Sequence, residues 1–222
     1  MIGTALDYLQ GFAAYMPGYA SAFMIAVEVA AVTIVISWLC GLVGVLAKLS
    51  RYPALRYPAE FYIWFIRGTP QLVQVFLVYF GLPQVGLNLD PFVAGAIALG
   101  VGSGAYVAEI FRSGLLAIPK GQPESAHALG MGNALTFRRI VFPQMIRIVV
   151  PALTNEAINT LKNTSLLSTI TIMELTLYTQ AVIASTFRPF EFYIIVSVLY
   201  LAITTILTQF AKWYERRYAL YL

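Results

Sequence analysis

The sequence predicts an all-α membrane protein with about five transmembrane helices, its N-terminus outside and its C-terminus in the cytosol. Three observations carry that expectation. Of 222 residues 59% are hydrophobic and only 11% charged, and mean hydropathy is +0.77, whereas soluble domains carry charge on about a quarter of positions. The apolar residues fall in runs close to the roughly 20 that a helix needs to cross the hydrocarbon. The basic residues flank those runs. A net charge of +4 would fit a nucleic-acid binder only if the cations clustered on a soluble face, and their distribution excludes that class.

The spans follow in order. The first covers about 22–47, and the second follows Pro70 to about Leu82, after an interfacial helix over 60–66. The third covers 91–111, the fourth 145–172 and the fifth 192–211. Residues 1–222 therefore read as one transmembrane domain, with a long internal connection at about 118–145. Orientation comes from charge. Eleven of the fourteen basic residues (Lys48, Arg51 and Arg56; Arg112, Lys120, Arg138, Arg139 and Arg147; Lys212, Arg216 and Arg217) fall on one side, against Arg188 alone on the other. Loops rich in Lys and Arg stay in the cytosol. The stretch from Lys212 to Tyr218 reads as an aromatic and basic anchor at that surface. The only cysteine, Cys40, lies within the first span, so no intrachain disulfide forms. The N-terminal stretch has no early Lys or Arg, unlike a cleavable signal peptide, and the first span is expected to be retained.

Within the long connection, Pro119 and Pro123 break the helix leaving the third span, and Gln122 to Met131 has helical composition. Gly130 or Gly132 supplies the freedom to turn. Ser125, Ala126 and Ala128 are small enough for another protein to approach closely, and Glu124 near a helix start offers a charge-assisted contact. An ordinary capped connector is the plain alternative. His127, the only histidine, reads as a contact residue.

The fourth span is unusually polar: Asn155, Glu156, Asn159, Thr160, Lys162, Asn163, Thr164 and Ser165 lie within eleven positions. Charged groups inside a bilayer cost roughly 2.5 to 3.5 kcal/mol or more at the centre, so this face must line water or another helix. Asn155, Asn159 and Lys162 share one stripe, while Glu156, Asn159 or Thr160, and Asn163 form its neighbour. Glu156 reads either as the counter-charge for a cationic or zwitterionic substrate or as a structural ion-pair partner. Thr69 before Pro70 reads as a helix start, with Gln71 and Gln74 facing a cavity. Gly100, Gly102, Ser103, Gly104 and Ala105 form a small-residue packing face, from which Ser103 could reach substrate. Glu109 and Arg112, three apart, can pair. Glu28 either snorkels outward or pairs with another subunit. No phosphate-binding loop and no His, Cys and carboxylate cluster occurs. A channel or proton-driven carrier, with Glu156 and Lys162 as an ion relay, would also use a polar midplane.

The connection resembles the signature of permease subunits in ATP-binding-cassette importers: Glu-Ala-Ala, three residues, Gly, nine residues, Ile-x-Leu-Pro. Here it reads Glu124-Ser125-Ala126, Gly130 and Ile140-Val141-Phe142-Pro143, with Ser125 and Phe142 as departures. Residues 67–71, 103–110, 118–122 and 162–166 resemble the polar amino-acid uptake branch of that family. The resemblance implies a type I importer fold and a bacterial inner-membrane, multi-pass location. It implies a second permease subunit, identical or homologous, two cytosolic ATPases docked on Glu124, Ser125, Ala126, Gly130 and Pro143, and an extracytoplasmic substrate-binding protein. It implies a transport subunit that is not itself an enzyme, needs no cofactor, and leaves ATP and Mg to the partner ATPases. The substrate is expected to be a basic amino acid (arginine, lysine or histidine), because Asn155-Glu156 resembles the branch that takes these up. Glutamine or another polar amino acid is the alternative. Substrate contacts are expected from Glu156, Asn155, Asn159, Gln71, Gln74 and Ser103.

Overall fold

The computed structural model describes residues 13–218, which are helical with short connections and, among the described residues, contain no strand. Helix α1 spans Met16–Lys48, α2 Pro53–Gly68 and α3 Gln71–Phe76. The last continues through a π-turn, Leu77–Gly81, and a 3-10 turn, Leu82–Val85. Helix α4 spans Pro91–Leu116, α5 Gly121–Ala128 and α6 Asn133–Thr136. A second π-turn, Phe137–Val141, leads into α7, Phe142–Asn163, which tightens into a 3-10 segment, Thr164–Ile170. Helices α8, Leu175–Thr186, and α9, Pro189–Tyr218, complete the described chain.

Of these, α1, α4 and α9 are long and apolar enough to cross a membrane. The stretch Asn133–Ile170 joined to α8 is a fourth span if the two parts, bent by 49°, act as one. The expected second span is shorter than anticipated. Gln71–Val85 is apolar but falls in the 10–17-residue class, because the return crossing is divided between α2 and α3 at Gly68-Thr69-Pro70. Proline denies the helix a donor and pushes the preceding residue toward extended geometry, and Thr69 is extended at φ −118°, ψ 147°. Helix α8, in a region where the sequence reading placed no element, fills the gap before α9.

Helices α1 and α4 run parallel, in backbone-close contact. A Cβ on Gly100 would lie 2.5 Å from Cγ2 of Ile36, one on Gly104 2.6 Å from Cβ of Cys40, and one on Gly41 2.4 Å from Cγ1 of Val107. Small residues at such crossings let dispersion act between backbones where lipid supplies no hydrophobic drive. The shared end carries charge: Lys48 of α1 donates to Oε1 of Glu109 at 2.5 Å, and Arg112 Nε to Oε2 at 2.9 Å. The expected Glu109–Arg112 pair thus gains Lys48, and the triad marks the basic, cytosolic end of the bundle. Glu28, exposed on α1, lies twenty residues before Lys48, about 30 Å along a helix and close to the hydrocarbon thickness. The two charges sit at opposite interfaces.

Helix α9 is tied to the rest through Glu174, which is fully buried. Its carboxylate accepts from the backbone N–H of Thr176 and Leu177 at 2.9 and 3.0 Å, capping α8, and from the Tyr200 hydroxyl of α9 at 2.8 Å. Phe192 of α9 packs edge-on against Tyr15, and Tyr19 of α1 edge-on against Tyr178 of α8.

The α1–α4 packing makes a directional prediction. Gly104→Ala introduces overpacking that costs about 1 to 3 kcal/mol and lowers the thermal melting midpoint in detergent. Gly81→Ala, where an added Cβ meets nothing within 4 Å, leaves it unchanged.

Candidate functional site

The polar residues of α7 divide between two surroundings. Thr160 is buried and shares a hydrogen bond of 3.0 Å with Ser103 of α4. Asn163 donates to Oε1 of Gln71 on α3 at 2.7 Å. Glu156, half-buried, directs its carboxyl group toward Ser103 and Asn159. Asn155, Asn159 and Lys162 are exposed along one stripe of α7, with Asn159 at its edge beside Glu156. Among the described residues neither Glu156 nor Lys162 forms an ion pair, so the two do not neutralise each other or a neighbouring helix of this chain.

Gln71 and Gln74 converge on α4 at Gly102, where a Cβ would meet Oε1 of Gln74 at 2.8 Å and Nε2 of Gln71 at 3.2 Å. The second of these glutamines has a structural task that the sequence did not disclose. The two N–H groups of its Nε2 are shared among the Ile66 carbonyl at 2.8 Å, the Thr69 carbonyl at 3.1 Å and the Thr69 hydroxyl at 2.9 Å. The amide thereby satisfies carbonyls that the break between α2 and α3 leaves without helical partners. Thr69 likewise bonds backward, to the Phe65 carbonyl at 3.0 Å, and α3 has no side-chain cap. Gln74 is 7% exposed, and its Oε1 has no hydrogen-bond partner among the described residues. Of the six residues expected to meet substrate, Ser103, Glu156, Asn159, Gln71 and Gln74 cluster around Gly102 and the middle of α7. Asn155 lies on the outer stripe. Thr160 and Asn163 join the cluster as second partners of Ser103 and Gln71.

At the opposite, basic end α5 packs only one face. Glu124 and Ser125 are exposed, but Ala126 is buried, so its small side chain serves packing beneath the helix rather than contact above it. The turn after α5 is fixed by three bonds. Gly130 N donates to the His127 carbonyl at 2.9 Å, Met131 N to the Ala126 carbonyl at 3.0 Å, and the His127 ring shares a 2.9 Å bond with the Met131 carbonyl. His127 therefore closes the turn. Gly130 takes φ +82°, which suits glycine, and Leu129 at 83% exposure projects from the turn into open space. Pro143 is exposed at the start of α7.

The family profile described as "Binding-protein-dependent transport system inner membrane component" matches residues 40–220. The chain belongs to this family. An octopine transport system permease of Rhizobium meliloti is 41% identical, over 93% of this chain and 89% of that one. A histidine/lysine/arginine/ornithine transport system permease of Salmonella typhimurium is 38% identical over 88% and 91%. A probable glutamine ABC transporter permease of Bacillus subtilis is 33% identical over 93% and 94%. A crystal structure of an amino acid ABC transporter with histidines superposes with a TM-score of 0.89 at 38% identity, covering 94% and 97%. The methionine transporter MetNI in an inward-facing form shares the fold, with a TM-score of 0.77 at 19% identity. This permease is thus a membrane-embedded subunit of an amino-acid ABC importer, and the carrier or channel reading of its polar span lapses.

The geometry of the turn after α5 yields a local prediction. Gly130→Val forces a β-branched residue into a left-handed conformation at about 1 to 2 kcal/mol. Hydrogen exchange at the Met131 amide then quickens roughly tenfold, whereas Gly132→Ala, at φ −71°, leaves it unchanged.

Proposed function

We propose that this permease forms half of the translocation pathway of an ATP-driven importer of basic amino acids, with Glu156 as the counter-charge for the substrate cation. The observation that carries the reading is a half-buried carboxylate in the middle of α7 that pairs with no cation among the described residues. A buried ammonium or guanidinium needs an opposing charge, and a buried carboxylate without one is equally costly. Arginine, lysine or histidine supplies what the site lacks. Ser103 and Asn159 flank the carboxylate, and Gln71, Gln74 and Asn163 add amide groups suited to the polar parts of the ligand, with Asn155 further along the exposed stripe. The relatives that handle octopine and the histidine/lysine/arginine/ornithine group favour this class. The glutamine-named relative keeps a neutral amide substrate as the second reading, to which the cluster of side-chain amides lends support.

The exposed stripe Asn155, Asn159 and Lys162 is too polar for lipid, and in this reading it faces a second permease subunit, identical or homologous, across the pathway. Two cytosolic ATPases grip the α5 turn through Glu124, Ser125, Leu129 and the Gly130 bend, with Ala126 and Pro143 holding the surface in place. ATP and Mg stay with those ATPases. An extracytoplasmic binding protein delivers the amino acid at the opposite end. ATP binding draws the ATPases together, α5 moves with them, and the helices rock the cavity from one side to the other.

Glu156→Gln keeps the shape and removes the charge. Uptake of arginine or lysine by the reconstituted transporter falls at least tenfold, in line with the roughly 2 kcal/mol or more lost when one member of a buried charge pair is truncated. Basal ATP hydrolysis and any glutamine uptake persist. Undiminished cationic uptake by this variant refutes the assignment.

A further inference from the structure

We propose that the cleft between α1 and α2 binds one anionic phospholipid of the inner leaflet, its acyl chain along the cleft floor and its phosphate against Arg51 of the α1–α2 turn. The cleft has a volume of about 480 Å3 and is walled by Leu39, Val43, Gly44 and Ala47 of α1 and by Leu55 and Pro58 of α2. Its volume lies within the range of ligand sites. Beside the weakly polar Cys40 thiol, the lining offers no polar side chain with an open hydrogen-bonding group. The Tyr62 hydroxyl, which reaches into it, donates to the Val101 carbonyl at 2.6 Å.

Depth identifies the leaflet. The cleft begins one residue before Lys48 and ends nine before it, a rise of about 12 Å, so it occupies the half of the hydrocarbon nearest the basic end. Helix α1 turns its apolar stripe of Leu39, Val43 and Leu46 outward here, each more than half exposed.

Charge identifies the headgroup. Toward the cytosolic end of α1 and the start of α2, Lys48 is committed to Glu109 and Arg56 is held by Glu60 at 2.8 Å, so both carboxylates of this region are already neutralised. Arg51, in the turn itself, forms no ion pair among the described residues. Its guanidinium lies 5.1 Å from the centre of the Tyr52 ring and donates to the Tyr52 hydroxyl at 3.1 Å, which positions it at headgroup level without consuming its charge. An available arginine beside an apolar slot fits an anion carried on an acyl chain. A free phosphate would leave the slot empty. An inserted peptide would bring backbone groups that the apolar floor cannot satisfy.

The test uses the assembled transporter in nanodiscs of mixed phosphatidylglycerol and phosphatidylcholine, with a photoactivatable group on the acyl chain of one lipid at a time, followed by peptide mapping. Phosphatidylglycerol is expected to label residues 39–62 several-fold more than phosphatidylcholine. Arg51→Ala reduces that preference roughly fivefold, the value of about 1 kcal/mol per surface cation, and Arg51→Lys retains most of it. Ala54→Trp, at an exposed position on the cleft wall, removes labelling by both lipids. Labelling of α9 serves as the internal standard for folded protein in every variant. Equal labelling by the two lipids, a preference indifferent to Arg51→Ala, displacement by inorganic phosphate alone, or labelling of a partner subunit in place of residues 39–62 would each overturn the proposal. If Ala54→Trp does not assemble, the comparison between Arg51→Ala and Arg51→Lys decides the matter by itself.

Discussion

The backbone contact between α1 and α4 is the constraint on which the other placements depend. Side chains at Gly41, Gly100 or Gly104 would hold the two helices apart, and water cannot drive them together inside a bilayer. With the helices in contact, one flank of α4 is left to α2 and α3, while Ser103 turns toward α7. The polar half of α7 then has a definite partner in Ser103 and, through Gln71, in α3. The same parallel arrangement gathers Lys48, Glu109 and Arg112 at one end, which anchors the bundle at the basic membrane surface.

A second consequence is the break between α2 and α3. An uninterrupted helix would have carried Gln74 away from Ile66 and would have needed no internal cap. Once Pro70 ends the first segment, exposed carbonyls must be satisfied within protein, and the Gln74 amide does so beside the glutamine that bonds Asn163. Structural repair and the candidate substrate cluster therefore meet at neighbouring side chains beside Gly102. A change at Gln74 acts on helix geometry before it acts on any ligand.

Much of this was legible from residue order. The three long spans were readable because continuous apolar runs have few other uses, and the polar face of α7 because Asn155, Glu156, Asn159 and Lys162 are too costly to leave against lipid. The Glu109–Arg112 pair followed from spacing. Other features depend on long-range partners that local pattern cannot show. Helix α8 is only twelve residues long, too short to read as a span, so it merged with its surroundings. Glu174 looks like a loop carboxylate until Tyr200, 26 residues later, closes on it. Ala126 carries no sign of which side it faces, and the structure turns it inward, leaving Leu129 outermost. The return crossing was expected as one span because Gly68-Thr69-Pro70 reads equally as a start and as a break.

The account stands or falls on whether the exposed stripe of α7 meets water. Single substitutions Asn155→Cys, Asn159→Cys and Leu153→Cys, made in a Cys40→Ala background and assembled with the partner subunits, can be exposed to a membrane-impermeant maleimide. Labelling at 155 and 159 but not at the buried 153, with rates that change when the nucleotide state is trapped, is the predicted result. Labelling at none of the three in any nucleotide state, or preferential reaction at 155 and 159 with a lipid-soluble reagent, would contradict it.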